Sequence, residues 1–255
     1  MGPRLVSAGA PWHAETPMRW SRPLAPGLVA AVGLVAALLG AAAAGRPVWA
    51  ANPTAADPGQ AAPKASASGE VTIDSLLARF RGIVGLSAHF REEKHIALLA
   101  QPLVSEGTVH YAPPGRIARH TLTPSPSSVV LDGTTLRFGD ATSEHSIDTG
   151  ASPVVRAFVD SFLAILAGDR ASLERSFVVD FHNPAGQKWE IALVPRDPTL
   201  ARIIREIRFA GDDVVISQMR IREASGDEGV TTFTDVDAAH RYTQAEADRV
   251  FRLAR

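Results

Sequence analysis

Nucleophilic side chains are the first class of residue that could do chemistry in this sequence. The chain contains no cysteine, which excludes thiol nucleophiles and thiolate metal sites. A serine hydrolase of the nucleophile-elbow type places its serine between two glycines on a sharp turn from strand to helix. The closest approach is GLSAH at positions 85–89, but the second glycine is missing and the segment precedes a predicted strand. Ser87 is therefore not predicted to be a catalytic nucleophile.

Histidines are the next candidates, as general bases or metal ligands. No pair has the spacing that directs two imidazoles to one metal from a single strand or helix. The sequence also has no glycine-rich phosphate loop. We therefore predict neither a metal site nor a cofactor. The seven histidines outside the N-terminal region are His89, His95, His110, His120, His145, His182 and His240.

Two groups of carboxylates remain. Glu144 and Asp148 lie four residues apart on a predicted strand and so share a face, and paired carboxylates can do acid–base work on sugars. A solvated strand edge explains them more simply. The cluster of Glu92, Glu93 and His95 near a strand end is interpreted as a charged, solvated loop. Without a recognisable catalytic group the chain is not predicted to be an enzyme, and a lipid-modifying hydrolase is kept as an alternative.

Short strands separated by turn residues dominate the pattern after position 85. Alternation of apolar and polar residues predicts strands over 86–92 and 107–111, for example. Asp132-Gly133 is a strong two-residue hairpin signal, and the NPAG run at 183–186 is composed of turn residues. We predict an antiparallel sheet of about ten strands, which either curls into a barrel or splits in two.

Two helices accompany this sheet. Apolar residues at helical spacing over 73–80, with Thr72 or Asp74 as cap, predict the first. Pro153 opens the second, which runs to Leu166 and ends before Gly168. This second helix is strongly apolar but is inserted between strands, so spacing allows either a buried core helix or a lid over an apolar cavity.

The N-terminal region resembles a secretory signal. A run of Ala, Val, Leu and Gly over 28–44 follows Arg19 and Arg22, and small residues lead to a predicted cleavage after Ala50. We predict a signal peptide over 1–50, with Met18 as a second candidate for the initiating residue and an uncleaved membrane anchor as the alternative. Residues 51–69 form a predicted flexible Ala/Pro/Ser linker, and residues 70–255 a single domain.

The net charge of the chain limits the classes of partner that it is predicted to bind. The chain has 26 basic and 27 acidic residues, of which four basic and one acidic precede position 51, so the exported part carries a net charge of −4 with neutral histidines. This balance argues against binding to nucleic acid or to a broad anionic membrane surface.

The predicted domain resembles the LolA family, the periplasmic carriers of outer-membrane lipoproteins. The resemblance starts at SAHF (87–90) and GTVHY (107–111) and continues through Pro114, Pro124, Asp132-Gly133 and Leu136. It extends to WEIALVP (189–195) and to the closing GD…TTF segment (226–233). Each motif is modest, and it is their order along the chain that indicates the family.

The resemblance implies a mostly β (α+β) fold, an unclosed antiparallel β-barrel of about ten strands covered by the N-terminal helix and the inserted lid helix. It also implies a periplasmic carrier that takes acylated cargo from an inner-membrane transporter to an outer-membrane acceptor. The sequence departs from the family at Pro113, where the lipoprotein carriers have an arginine that holds the lid shut, and at Arg119, where they have an aromatic residue. In this respect it is closer to divergent relatives associated with the export of lipids or aryl-polyene pigments.

A monomeric carrier with a lipophilic cargo is therefore the leading hypothesis, and it predicts an apolar cavity of several hundred Å3. An envelope scaffold module that docks an inner-membrane transporter would instead have a filled core. The predicted cargo-binding residues lie on the lid helix and on strands: Phe90, Leu131, Val155, Phe158, Phe162, Leu166, Trp189 and Met219.

Overall fold

Eleven antiparallel strands form one sheet in the computed structural model, which describes residues 71–151 and 153–254. The predicted signal peptide and linker lie outside these residues. The strands are β1 (Leu86–His95), β2 (Leu103–Ala112), β3 (Arg116–Thr123), β4 (Ser127–Asp132), β5 (Thr135–Gly139), β6 (Glu144–Asp148), β7 (Phe177–His182), β8 (Lys188–Pro195), β9 (Ile204–Asp212), β10 (Val215–Glu223) and β11 (Glu228–Asp237).

The sheet consists of two meandering arms, β1–β6 and β7–β11, joined where β1 pairs with β11. Its spatial order is β6-β5-β4-β3-β2-β1-β11-β10-β9-β8-β7, so β6 and β7 are free edges and the barrel is not closed. The predicted fold class is confirmed, with eleven strands rather than about ten. The predicted hairpins form because Gly133 and Gly186 both adopt a φ of 60°, which the tight turns require.

Helices precede the sheet, connect its two arms and follow it. They are α1 (Ile73–Phe80), α2 (Pro153–Leu166), α3 (Arg170–Ser176), α4 (Pro198–Ala201) and α5 (Gln244–Val250), with a 3-10 turn at Thr149–Ala151. Thr72 caps α1 by a reciprocal capping box with Ser75. Within the described ranges, no helix is long and apolar enough to cross a membrane.

Gly168 ends α2 at a crowded position. Its φ is +63°, and a Cβ there would lie 2.0 Å from the carbonyl oxygen of Leu77, so only glycine allows α1 and the end of α2 to approach this closely. The α2 helix is hereafter called the lid helix.

The two faces of the sheet are covered by different elements. The inner face packs against α1, the lid helix, α3 and α4, and carries the main hydrophobic core, in which Leu76 and Phe80 of α1 and Leu173 of α3 are fully buried. The outer face of β3 and β4 packs against α5, through Ala118 and Phe251 for example. Because directly paired residues of antiparallel strands point to the same side, strand pairing assigns each residue of the sheet to one face.

Candidate functional site

The lid helix lies across the inner face and connects the two arms by its side chains. Toward its N-terminal end, Val155 is buried against Leu131 and Leu136 of β4 and β5. Further along, the Phe162 ring meets the ring of Phe209 on β9 edge to face, with 5.4 Å between ring centroids. The helix therefore covers the interior from one arm to the other.

Only apolar packing holds the lid helix against the strands in the part of the chain that the structure describes. Its polar side chains bond within the helix: Arg156 Nε donates to Asp160 Oδ2 at 3.4 Å and Ser161 Oγ to the carbonyl of Phe158 at 2.6 Å. Helix α1 is different, because Arg79 Nη1 donates to Gln187 Oε1 and Asp213 Oδ1, both at 2.6 Å. The lid helix can therefore be displaced without breaking a polar bond to the sheet.

An apolar cavity of about 70 Å3 lies beneath the C-terminal half of the lid helix. It lies over the middle of the sheet, where β1 pairs with β11. Its lining includes Leu86, Ala88, Val109, Tyr111 and Ile117 of β1–β3, Ile216, Phe233 and Val236 of β10–β11 and the segment after it, and Phe162 and Leu166 of the lid helix.

This cavity is smaller than the several hundred Å3 expected for a bound ligand, and has room for about two water molecules. The reason is that lid side chains occupy the interior: Phe158 and Phe162 contact each other at 5.1 Å between ring centroids. A ligand of several hundred Å3 therefore does not fit beneath the lid helix in this arrangement.

The structure brings three of the predicted cargo-binding residues together at this cavity. Phe162 and Leu166 line it, and Phe158 packs against Phe162. Two more, Leu131 and Val155, pack together under the N-terminal end of the same helix.

The other three predicted residues lie away from the cavity lining. Trp189 is 1% exposed, and its ring meets Phe80 of α1 edge to face at 5.8 Å. Met219 is buried in the main core. Phe90 lies on the inner face of β1, two residues beyond the cavity-lining Ala88. Contact with cargo remains a prediction for all eight residues.

Sequence reasoning missed a buried ion pair on the inner face. Glu92 was interpreted as part of a solvated loop, and this is wrong: it lies within β1 and is fully buried, with Oε2 accepting from Arg119 Nη2 at 2.8 Å. The guanidinium of Arg119 also lies over the ring of Phe90, 4.0 Å from its centroid. The alternation along β1 indicates the face on which Glu92 lies. Leu86, Ala88 and Phe90 occupy even-numbered positions, as Glu92 does, and so point to the same face.

Burial perturbs both members of this pair. It raises the pKa of the Glu92 carboxyl to about 8, against the opposing effect of the Arg119 charge. Burial also lowers the pKa of Arg119 to about 10, although Glu92 counteracts this. Lys94 and Glu223 form a second ion pair beside them, with 2.8 Å between Nζ and Oε1. The interior is thus apolar at the cavity and ionic toward the far end of β1.

The residues considered for catalysis lie elsewhere. Ser87 Oγ is 3.3 Å from His110 Nδ1 on the outer face, but the other ring nitrogen of His110 contacts the hydroxyl of Thr108 rather than a carboxylate. Glu144 and Asp148 lie on the edge strand β6 and are exposed. Among the described residues, no group of three or more potential ligands is arranged to hold a metal ion.

The lowered pKa of His110 is expected to make the folded protein less stable in acid. Burial, and to a lesser extent the neighbouring His120 and His240, lowers the pKa of His110 from 6.5 to about 4. The unfolded chain therefore binds this proton more readily, and stability is lost as the pH falls below about 6.5. Between about pH 7.5 and pH 5 we expect this residue to lower the free energy of unfolding by at most about 2 kcal/mol.

Urea unfolding of wild type and His110→Gln at the two pH values tests this prediction. Glu92 has the opposite effect, because its raised pKa favours the folded state at low pH, but it contributes equally to both proteins. The difference between the two pH profiles therefore isolates His110. Parallel profiles would contradict the assignment.

The fold and the site together define an unclosed barrel with a helix-covered apolar interior. The family model described as outer membrane lipoprotein carrier protein LolA-like matches residues 65–253, and the chain therefore belongs to this family. No curated protein is significantly similar to it in sequence.

The solved structures that resemble the chain share little sequence identity with it. A LolA superfamily protein from Nitrosomonas europaea has 10% identity and a TM-score of 0.39, with coverage of 71% of this chain and 98% of that one. MucB from Pseudomonas aeruginosa in its MucA/MucB complex has 12% identity and a TM-score of 0.42, covering 68% of this chain, which spans only 59% of that one. A DUF1329 family protein from Desulfovibrio piger has 11% identity and a TM-score of 0.39, covering 71% and 95%. The family assignment rests on the sequence match.

Proposed function

We propose that the protein is a periplasmic carrier that binds a lipophilic cargo on the inner face of its sheet and moves it from the inner to the outer membrane. The cargo class comprises lipoprotein acyl chains, lipids and lipid-linked polyenes. The observation that carries the proposal is the lid helix, which packs aromatic side chains over an apolar cavity and has no polar bond to the strands among the described residues.

The energetics of exchange support a carrier. Burying an acyl chain gains about 0.8 kcal/mol per methylene, so a chain of about 16 carbons gains about 12 kcal/mol. Displacing four apolar lid side chains costs about 6–12 kcal/mol on the same scale, at about 1.5–3 kcal/mol for each. Since the two quantities are comparable, cargo can replace the lid side chains and can still be released to an acceptor.

The remaining parts of the proposal come from the sequence. Residues 1–50 act as a cleaved secretory signal and residues 51–69 as a linker, so that residues 70–255 function in the periplasm. This domain acts as a monomer. An inner-membrane transporter supplies the cargo and an outer-membrane acceptor receives it. Pro113 and Arg119, at the two family positions that differ, favour the divergent branch associated with lipid or aryl-polyene export.

Mass spectrometry of protein purified from periplasm tests this function. We expect a stoichiometric lipophilic molecule in the intact protein under non-denaturing conditions, and its loss after solvent extraction. The extracted protein should then bind a fluorescent fatty acid. Protein that arrives empty and binds no such probe would contradict the carrier function and favour a scaffold that docks a transporter.

A further inference from the structure

The charged end of the inner face contains polar atoms that the fold leaves without partners. Within the part of the chain that the structure describes, Glu92 Oε1, Ser105 Oγ and Arg119 Nη1 are buried and form no hydrogen bond. Glu92 is 0% exposed, Ser105 1% and Arg119 8%. A buried polar group without a partner is unfavourable, so three of them together indicate a place for a polar ligand atom.

Strand pairing places these atoms on the same face of the sheet as the apolar cavity, beyond one end of it. Ile117 lines the cavity, and Arg119 is two residues further along the inner face of β3, a distance of about 7 Å. On β1, Ala88 lines the cavity and Glu92 lies four residues further on the same face, about 13 Å away. Ser105 pairs directly with Glu92. An acyl chain in the enlarged cavity is therefore long enough to bring its polar end to these three residues.

Gly107 leaves room for this arrangement between the cavity and the ion pair. It pairs with Phe90, and a Cβ at Gly107 would lie 2.9 Å from the Phe90 ring and 1.9 Å from the carbonyl oxygen of His120. The Phe90 ring therefore occupies the space above Gly107 of β2, and the guanidinium of Arg119 lies over this ring. This ring forms the boundary between the apolar cavity and the polar atoms.

We infer that Glu92, Ser105 and Arg119 bind the polar head of an acyl chain, with the acyl carbonyl oxygen accepting a hydrogen bond from Arg119 Nη1. Glu92 Oε1 and Ser105 Oγ bind the remaining head-group atoms, such as a hydroxyl. The inference rests on the proposed carrier function and names its ligand class: an acyl group whose carbonyl belongs to a free carboxyl or to an ester.

The charge balance of the cluster fits such a head. Glu92 and Arg119 neutralise each other, as do Lys94 and Glu223, so the site does not require a ligand with a full charge.

The experiment compares the head-group preference of wild type with that of the double variant Glu92→Met/Arg119→Met. Replacing both members of a buried ion pair by apolar residues avoids a buried unpaired charge and is often tolerated or stabilising. A matched control is Arg91→Met/Glu106→Met, which removes an exposed ion pair on the opposite face of β1 and β2. The probes are hexadecanoic acid, methyl hexadecanoate and hexadecane, each measured by displacement of the apolar fluorophore N-phenylnaphthylamine.

We expect wild type and the control to bind a carbonyl-containing probe at least about tenfold more tightly than hexadecane, and the Glu92→Met/Arg119→Met variant to show no preference. Preference for the acid alone would identify a free carboxyl as the head, and equal preference for acid and ester an acyl ester. Binding of all probes without discrimination by wild type, or an unchanged preference in the double variant, would overturn the inference while leaving the carrier function intact. Wild type that binds none of the probes would contradict both.

Discussion

Oxidation of the double variant Gly115→Cys/Leu163→Cys is expected to abolish cargo binding, and reduction to restore it. A Cβ at Gly115, in the turn between β2 and β3, would lie 3.7 Å from Cδ1 of Leu163 on the lid helix. Because Cδ1 lies two bonds beyond the Cβ of Leu163, the two cysteine Cβ atoms are further apart than this contact. A disulfide, whose Cβ atoms lie about 3.5–4.5 Å apart, therefore forms with a small movement of the turn toward the helix. Since the chain contains no cysteine of its own, the cross-link has a single possible pairing.

The expected effect is large because the closed cavity of about 70 Å3 holds only a small part of an acyl chain. We expect affinity for a fluorescent fatty acid to fall at least about 100-fold on oxidation, as cargo can no longer displace the lid helix. The reduced double variant and the two oxidised single variants are the controls. Equal affinity in the oxidised and reduced forms would show that cargo enters without movement of this helix.

Trp189→Ala is expected to have the largest effect on stability. The side chain is fully buried, its Nε1 donates to the carbonyl of Asp213 at 2.7 Å, and its ring packs so closely on Gly211 that a Cβ there would lie 2.5 Å from Cζ2. Truncation of a buried tryptophan leaves a cavity and an unpaired carbonyl, so we expect the free energy of unfolding to fall by about 3–5 kcal/mol.

Urea unfolding followed by far-ultraviolet circular dichroism measures this change without relying on tryptophan fluorescence. Val194→Ala on the same strand is the control, because Val194 is 43% exposed and its loss is expected to change stability by no more than about 0.5 kcal/mol. A Trp189→Ala protein of normal stability that has lost probe binding would instead assign Trp189 to the cargo site.

Local sequence signals predicted the elements of this fold well. The Asp132-Gly133 and 183–186 turns mark real hairpins, and Pro153 and Gly168 bound the lid helix. Proline restricts its own φ, and glycine permits the left-handed conformation that these turns and the helix end require. The pairing of β1 with β11 could not be derived in this way, since it joins segments far apart in the chain and no local residue specifies the partner.

The candidate site was predictable only in part, for a related reason. Apolar residues at helical spacing identify Phe158, Phe162 and Leu166 as one face of the lid helix. How deeply Trp189 is buried depends on which element covers it, and that element is α1, which is distant in sequence. The partnership of Glu92 with Arg119 likewise depends on the register of three strands, although the parity of Glu92 indicated its face.

The way in which the two arms are connected has a mechanical consequence. Hydrogen bonds join them along β1 and β11, and the chain itself connects the free edge β6 to the free edge β7 through residues 149–176, which include the lid helix. This segment is a tether of fixed contour length between the edges of a sheet that can flex about its central pairing. Widening of the sheet by a bulky occupant therefore puts the tether under tension, so that occupancy of the interior and the position of the lid helix are coupled.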